Sequence, residues 1–393
     1  MSLVPALSQS PVEAARGVVS VLEQHRAEAE HDARMADAVR AAVGDAGLFV
    51  LTAPADCGGY DASLPDIWRS AEVLAEADPT VAWHVANSSL TGFASSRLSV
   101  ETRRDIFADG RFPCGNGGAP VGRAVSVEGG YRLTGRWPFV TGIEHAQWNL
   151  LAALVVDPEA SEDLGTPTVR YGTTAARVFL VPSSRLAIER TWDSASAMRG
   201  TGSHSFRVED VFVEARFAPS WTDPPSLDRP LNLVTRPLGF GGIAASIAIG
   251  ILRSAIDATQ ELGRAKSDLH GGLHGDQARF QYVISDAEAT WRMLRLGWHE
   301  LGDCVWDAAL AGGIDTALRG RGFREMFHVL DTVRRTVSEV YSIATNVAYR
   351  TQNQVERALR DCHALAAASE SIRPLQLDAA RVMAGQPPLS PAF

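Results

Sequence analysis

The sequence is poor in the residues that build disulfide frameworks and metal sites. Only 4 of its 393 residues are cysteines, and these lie far apart, without a CxxC pair or a histidine cluster at metal-binding spacing. Scattered cysteines of this kind are typical of reduced thiols in the cytosol, so we expect a cytoplasmic protein without a bound metal. The N-terminal residues also lack the basic region and apolar run of a secretory signal.

An excess of positive charge and a long apolar run are missing too. The formal net charge is −9 at pH 7, which argues against a nucleic-acid-binding surface and against attraction to anionic membranes. The most apolar window, residues 239–252, is too short and too rich in glycine and alanine to span a bilayer, so it predicts a tightly packed helix. The hydrophobic content of 46% is that of a globular protein.

Three regions of different periodicity follow one another along the chain. Residues 1–110 are rich in helix signals, including a capping box that begins at Ser10. Residues 111–218 contain short alternating runs separated by Gly, Pro, Ser and Asp, which predict a β-barrel or sandwich. In residues 219–393, apolar side chains recur every three or four positions, which predicts an antiparallel four-helix bundle. The sequence therefore predicts an α+β protein with an N-terminal helical domain, a central β domain and a C-terminal bundle.

The segment GRWPFVTGIEHAQW, residues 135–148, starts as an alternating strand and breaks at Thr141-Gly142. An aromatic ring, a hydroxyl and a glycine at a strand end suit a flat, hydrogen-bonding ligand. The ring stacks, the hydroxyl bonds a ring edge, and glycine lets the backbone approach. An ordinary strand followed by a turn also fits these residues, and the segment taken alone favours that simpler interpretation.

Four motifs together resemble the acyl-CoA dehydrogenase superfamily, and the resemblance extends over almost the whole chain. They are the glycine turn of residues 54–59, the strand of residues 135–142, the segment 198–213 that closes the β domain, and the pair Arg360-Asp361. The resemblance implies an acyl-CoA dehydrogenase-like fold that binds a flavin. It also implies a homotetramer formed through the C-terminal bundle.

Some details are more similar to the two-component (group D) flavin-dependent monooxygenases of this superfamily. They are Ala82-Trp83, Glu144-His145, Trp148 and the run Arg360-Asp361-Cys362-His363. Members of that branch receive reduced flavin from a separate flavin reductase. The resemblance implies an oxygenase component that uses reduced FMN or FAD and O2 on a small aromatic or amino-sugar-like substrate.

The same resemblance implies a set of residues that contact the flavin: Trp137, Phe139, Thr141, Gly142, Thr201, Ser203 and Arg264. Within this set, Thr141 is expected near the flavin N5, and the aromatic rings of Trp137 and Phe139 are expected to wall the cofactor. Thr201, Ser203 and Arg264 are the candidates for phosphate contacts. Structural alternatives remain open, because Phe139 fits a β-domain core equally well and the 201–203 segment fits a plain turn.

Two histidines are the main acid–base candidates. His84 lies on a helix that faces the substrate cavity in the monooxygenase branch, and a neutral imidazole can transfer a proton at pH 7. His363 matches the histidine of the branch's R-D-x-H motif. Both have structural alternatives, since a lone helical histidine is often structural and His363 could bond Asp361. His145 and His204 are further candidates with weaker support.

The sequence departs from the motifs of both branches where the chemistry is expected. Ala368 occupies the position at which the monooxygenase branch usually carries a second histidine. In the main alternative, an acyl-CoA dehydrogenase, Glu370 would be the base that removes the substrate's α-proton. That alternative is weakened because residues 117–124 replace the flavin- and acyl-CoA-binding segment of the dehydrogenases. A catalytically silent scaffold of the same fold is the third possibility.

Overall fold

The computed structural model describes residues 9–156, 176–267, 271–350 and 353–393. Five α-helices precede the first strand in this part of the chain: α1 (Pro11–Asp32), α2 (Asp37–Asp45), α3 (Leu64–Ala77), α4 (Pro79–Ser95) and α5 (Val100–Ile106). The capping box predicted at Ser10 is confirmed. Its side chain accepts the backbone N–H of Glu13, and the Glu13 carboxylate accepts the backbone N–H of Ser10.

The central region contains six described strands: β1 (Cys114–Val127), β2 (Gly130–Val140), β3 (Trp148–Val156), β4 (Ala176–Pro182), β5 (Ala187–Glu189) and β6 (His204–Glu214). They form one mixed sheet in the order β4-β3-β1-β2-β6-β5. Strands β1 and β3 run parallel, and the other neighbouring pairs run antiparallel. The part of the predicted β domain that falls on residues 157–175 lies outside the described residues.

The C-terminal region is helical: α6 (Arg236–Ala265), α7 (Ala278–Leu310), α8 (Thr316–Ile343), α9 (Gln354–Ala368) and α10 (Pro374–Met383). Helices α6 to α9 correspond to the four helices of the predicted bundle. The apolar seam predicted along α8 is confirmed, because Met326, Leu330, Val333 and Val337 are all buried. The periodicity does not anticipate α10, which starts at a proline and packs against α8.

The change from helix to strand lies between Ile106 and Cys114, and the change back to helix lies between Glu214 and Arg236. The domain boundaries placed at 110 and 218 stay predictions. A large apolar core joins the N-terminal helices to the bundle around two stacked indole rings, Trp68 and Trp298, whose centroids are 4.5 Å apart. A smaller core lies against the sheet.

Helix α6 is long and apolar enough to cross a membrane by length and composition alone. Most of its apolar window is buried inside the fold, with 83% of that window covered. The prediction of a tightly packed helix at residues 239–252 is therefore confirmed, although the helix extends well beyond that window to 30 residues.

Candidate active site

The end of β2 and the turn before β6 are joined by a chain of three hydroxyl groups. Thr141 Oγ1 lies 3.0 Å from Ser203 Oγ, and Ser203 Oγ lies 2.8 Å from Thr201 Oγ1. Thr201 donates its hydroxyl proton to the backbone carbonyl of Met198 at 2.7 Å. All three hydroxyl side chains are buried. The structure thus brings together three of the residues that the sequence assigns to the flavin, in one connected unit.

A backbone bond and a buried imidazole fix the same turn. The Gly142 N–H donates to the Thr201 carbonyl at 2.9 Å, and Gly142 has a φ of 72°, which favours glycine. The His84 ring packs against Gly142, where an added Cβ would lie 2.7 Å from its Nδ1 atom. His84 Nε2 lies 3.1 Å from the Gly200 carbonyl, so Nε2 carries the ring proton and donates it.

The position of His84 differs from the predicted one. The sequence-based prediction has it facing the substrate cavity, whereas the structure aims its ring at the Gly142 turn. Burial lowers the pKa of His84 to about 4, so the imidazole is neutral at pH 7. His84 therefore packs against the turn that carries Thr141, and its part in proton transfer stays a prediction.

The pair Arg360-Asp361 connects helix α9 to the same turn. Asp361 on α9 is fully buried, and one of its oxygens accepts the Met198 N–H at 2.6 Å. The other oxygen lies 3.5 Å from Arg357 Nε, and the Arg360 guanidinium donates to the Ser196 carbonyl. Asp361 thus holds the residue whose carbonyl ends the hydroxyl chain. The sequence offers this motif as a family marker, but it gives no indication of the contact.

Phe139 presents its ring at the surface beside this turn. Its side chain is 72% exposed, and the backbone at Phe139 has a positive φ of 59°. The edge of the Trp192 ring faces it, with 6.2 Å between the ring centroids. Trp192 is held in turn by His204, whose Nδ1 accepts the Trp192 backbone N–H at 3.0 Å. Phe139 is therefore available to stack on a flat ligand, and His204 has a structural role.

Trp137 lies in the β-domain core instead. Its ring is fully buried and stacks on Phe206 at 5.6 Å, and its indole N–H donates to the Ala152 carbonyl at 2.9 Å. Gly122 lies against the ring so closely that an added Cβ would be 2.2 Å from it. The packing leaves no face of Trp137 open to a ligand, which corrects its assignment to the flavin wall.

A small cavity of about 110 Å³ lies between α4, β1, α6 and the end of α9. Two aromatic rings contribute to its wall, Trp83 and Phe240, whose centroids are 5.4 Å apart at an angle of 51°. Trp83 directly precedes His84 on α4. One helix therefore shapes both the cavity and the turn that carries Thr141.

Asn116 lines the cavity and is hydrogen-bonded to a second asparagine, Asn87. Asn87 Nδ2 donates to the Trp83 carbonyl at 2.8 Å, which leaves Asn87 Oδ1 to accept the side-chain amide N–H of Asn116 at 3.3 Å. Asn116 Oδ1 is buried and has no partner within the described chain. Sequence reasoning missed Asn116. The available signal was its position directly before the replaced dehydrogenase segment at 117–124.

The comparisons with known proteins agree with this architecture. The family model for the acyl-CoA dehydrogenase C-terminal domain matches residues 242–369, which lie within α6 to the turn after α9. The oxygenase subunit HsaA of a flavin-dependent monooxygenase of Rhodococcus jostii is 25% identical over 366 residues, which cover 88% of this chain and 91% of the relative. Residues 242–369 thus match the acyl-CoA dehydrogenase family, and most of the chain is similar to an oxygenase subunit of a flavin-dependent monooxygenase.

Two further comparisons give similar results. Indole-3-acetate monooxygenase of Acinetobacter baumannii is 26% identical to this chain over 325 residues, which cover 80% of this chain and 78% of the relative. The solved structure of XiaF from Streptomyces sp., in complex with FADH2 and glycerol, superposes with a TM-score of 0.85 at 23% identity. That superposition covers 98% of this chain and 97% of XiaF, so the two share a fold over their whole length.

No side chain among the described residues that line the cavity suits proton transfer at neutral pH. Among the described residues that line it, Arg236 is the one titratable group, and a guanidinium stays protonated. Ala368, at the position of the branch's second histidine, is part of the lining. The alanine that replaces the branch's second histidine therefore lies in the cavity wall.

Two other candidates lie outside the cavity. His363 is exposed on α9, and its Nε2 lies 3.3 Å from Ser338 Oγ, so it does not bond Asp361. Glu370 is exposed and paired with Arg373, whose hydrogen bond lowers the pKa of the carboxyl. Neither side chain is among the described residues that line the cavity, so the catalytic roles of His363 and Glu370 stay predictions. Glu370 has the surroundings of a solvated acid.

The last two candidates also make other contacts. His145 Nε2 donates to the Met35 carbonyl at 2.8 Å and so ties the end of β2 to the start of α2. Arg264 lies in the last turn of α6 and is exposed, with Nη2 3.3 Å from Gln260 Oε1. No described contact joins Arg264 to the hydroxyl chain within this subunit.

Proposed function

We propose that this chain is the oxygenase component of a two-component monooxygenase, which uses reduced flavin and O2 to oxidise a small aromatic substrate. The observation that carries the proposal is that α4 contributes both to an apolar cavity, through Trp83, and to the turn that holds the buried Thr141 hydroxyl, through His84. Oxygen chemistry on a reduced flavin needs a dry site, because water and stray protons divert it to hydrogen peroxide. The names of the relatives in the comparisons support the same activity.

The residues present fit the edge of a flavin ring. Phe139 offers an exposed aromatic face, Thr141 a buried hydroxyl, and Gly142 a backbone without a side chain. Asn116 adds a buried amide oxygen that lacks a partner in the described chain. Buried polar atoms are rarely left unpaired, so this oxygen suits an N–H or O–H group of a ligand.

The bound reduced flavin supplies two electrons, so that one atom of O2 enters the substrate and the other leaves as water. The side chains of this protein orient the reactants and keep the site dry. Thr141 bonds the edge of the ring, while Trp83 and Phe240 hold the substrate by stacking. The cavity of about 110 Å³ is small beside the roughly 300–1,000 Å³ of drug-sized sites, which favours a substrate of one or two rings.

The cofactor and partners follow from this activity. A separate flavin reductase supplies reduced FMN or FAD, and the exposed Arg264 is available for a phosphate group. We include in the proposal a homotetramer, because α7 exposes the apolar side chains Tyr282, Met293 and Leu296. We also include a cytoplasmic location, since all four cysteines are free thiols.

The acyl-CoA dehydrogenase alternative fits the structure less well. It needs a carboxylate base beside the substrate, and Glu370 is exposed and held by Arg373. A silent scaffold would have no reason to keep a buried hydroxyl chain next to an exposed aromatic ring. Neither alternative accounts for the arrangement of Thr141 and the aromatic cavity.

Anaerobic titration separates the three activities. Purified protein is titrated with reduced FMN, reduced FAD and both oxidised forms, and then with a panel of acyl-CoA thioesters. The proposal predicts tight binding of reduced flavin and no bleaching of bound FAD by any acyl-CoA. Copurified FAD that an acyl-CoA reduces would establish the dehydrogenase, and a lack of flavin binding in either redox state would leave the scaffold.

A further inference from the structure

The hydroxyls of Thr141, Ser203 and Thr201 have one arrangement of protons that satisfies every contact. Each hydroxyl has a single proton, and the Met198 carbonyl at the end of the chain can only accept one. Because Thr201 gives its proton to Met198, the 2.8 Å contact requires Ser203 to donate to Thr201. Ser203 then has no proton left, so the 3.0 Å contact requires Thr141 to donate to Ser203.

The far end of this chain is anchored by backbone groups. The Met198 carbonyl also accepts the Thr201 backbone N–H at 3.0 Å and the Trp192 indole N–H at 3.3 Å. The N–H of Met198 is bonded to the buried Asp361 carboxylate at 2.6 Å. A carbonyl held at so many points cannot turn away, so the direction of the chain does not depend on a freely rotating group.

The Thr141 oxygen can therefore accept a hydrogen bond from a ligand, but it has no free proton to donate. The neighbouring N–H of Gly142 is already donated to the Thr201 carbonyl at 2.9 Å. His84 offers no proton here either, because its Nε2–H is donated to the Gly200 carbonyl. The Thr141 side chain is only 3% exposed, so bulk water has little access to reorganise these bonds.

We infer that Ser203 and Thr201 are positioning residues that make Thr141 a hydrogen-bond acceptor, so that the site selects reduced over oxidised flavin. The inference rests on the proposed function, in which Thr141 lies at the flavin N5. Reduced flavin has a hydrogen on N5 that the Thr141 oxygen accepts. Oxidised flavin presents a lone pair at N5, and a buried acceptor set against a lone pair weakens binding roughly tenfold or more.

This selection suits a flavin that arrives reduced and leaves oxidised. Thr141 would find no N5 hydrogen to accept on an oxidised ring, so this residue would hold the oxidised form more weakly than the reduced form. An enzyme that starts its cycle from oxidised flavin would be hindered by the same arrangement.

The test compares flavin affinities in both redox states under anaerobic conditions. In the Ser203→Ala variant, Thr141 no longer has an acceptor and its proton is free to bond the oxidised N5. In the Thr201→Val variant, the proton of Ser203 is redirected to Thr141, which frees the Thr141 proton as well. Each variant should lower the ratio of oxidised to reduced dissociation constants about tenfold, mainly by tightening the binding of oxidised flavin. The midpoint potential of bound flavin should fall by about 30 mV, the value of a tenfold change for a two-electron couple.

Ser205→Ala is the matched control, because Ser205 is a buried serine on β6 that bonds the Thr191 hydroxyl at 3.1 Å and lies outside the chain. Its ratio should equal that of the wild type. Unchanged ratios in both folded test variants would overturn the inference while leaving the proposed function intact. If the wild type bound neither redox form, both the inference and the proposed function would fail.

Discussion

The carboxylate of Asp361 accepts the backbone N–H of Met198 at 2.6 Å, across 163 positions of sequence. This bond joins the last long helix of the bundle to the turn that ends the hydroxyl chain. The geometry of Thr141 at the end of β2 therefore depends on a residue of the C-terminal helices. The bond explains how a motif far from the β domain can affect the flavin site.

Replacing Asp361 by alanine should destabilise the protein by about 3 kcal/mol, because it leaves the buried Arg357 with less compensating charge. It should also weaken the binding of reduced flavin, since Met198 loses its anchor. Urea unfolding and an anaerobic flavin titration measure the two effects. Asp303→Ala is the control: Asp303 pairs with Arg69 at a half-exposed site, where the expected loss is below about 1 kcal/mol. An equal loss of unfolding free energy in the two variants would show that Asp361 stabilises the protein no more than a half-exposed ion pair does.

Sequence reasoning placed Thr141, Thr201 and Ser203 among the flavin contacts, and that contact stays a prediction. It assigned Thr141 to N5 and the other two to a phosphate, whereas the structure links the three hydroxyls directly. It could not give the direction of their hydrogen bonds, since that depends on the Met198 carbonyl at the end of the chain. The direction follows from three-dimensional contacts between two turns and is invisible in any single segment.

The different positions of Trp137, in the core, and Phe139, at the surface, have a local cause. Strict alternation places both on one face of β2. The pairing of β2 with β6 shifts register between Trp137 and Val140, and Phe139 takes a positive φ of 59°. The shift turns Phe139 outwards while Trp137 stays in the core. Pro138, between the two aromatic residues, is the available signal, because a proline within a strand is found at edges and bulges.

The exposed position of His363 follows from helix geometry. Residues two apart on a helix point roughly 200° from one another, so Asp361 and His363 cannot share a face. The motif predicts that both residues matter together. Asp361 lies on the buried face of α9, and His363 lies on its exposed face.

Stability should fall in acid partly because of His84. Burial lowers its folded-state pKa to about 4 from 6.5. The free energy of unfolding that depends on a neutral His84 is therefore fully present above pH 6.5 and is lost as the pH falls towards 4. The full effect is about 3 kcal/mol. A His84→Gln variant, which keeps a donor for the Gly200 carbonyl, should lack this loss when urea unfolding is compared at pH 7.5 and pH 5. His31→Gln is the control at a side chain that is 88% exposed, and it should behave as the wild type.

Gly142→Ala should destabilise the protein by about 1–3 kcal/mol. The added Cβ would lie 2.7 Å from His84 Nδ1, at a residue whose φ is 72°. Thermal unfolding measures the loss. Gly297→Ala on α7 is the matched control, because no atom lies within 4 Å of its added Cβ, and it should be neutral or slightly stabilising. A Gly142→Ala variant as stable as the control would show that His84 does not fix this turn.

A histidine installed at the cavity wall should widen the range of substrates. Ala368→His would place a base where the described lining has none, and general-base assistance should raise the oxidation of phenols about 10²-fold. The gain should grow as the pH rises through roughly 6.5, where an imidazole loses its proton. Ala367→His, on the exposed face of the same helix, is the control. Equal rates in the two variants across this pH range would place the substrate elsewhere.

The proposed activity is tested most directly by oxygen labelling. Protein loaded anaerobically with reduced flavin is mixed with ¹⁸O2 and a small aromatic substrate, and the product is analysed by mass spectrometry. The structure predicts one ¹⁸O atom in the product for each flavin oxidised, with a large loss of product in Thr141→Val and hydrogen peroxide formed in its place. Oxidation of the flavin without label in any product would contradict the oxygenase.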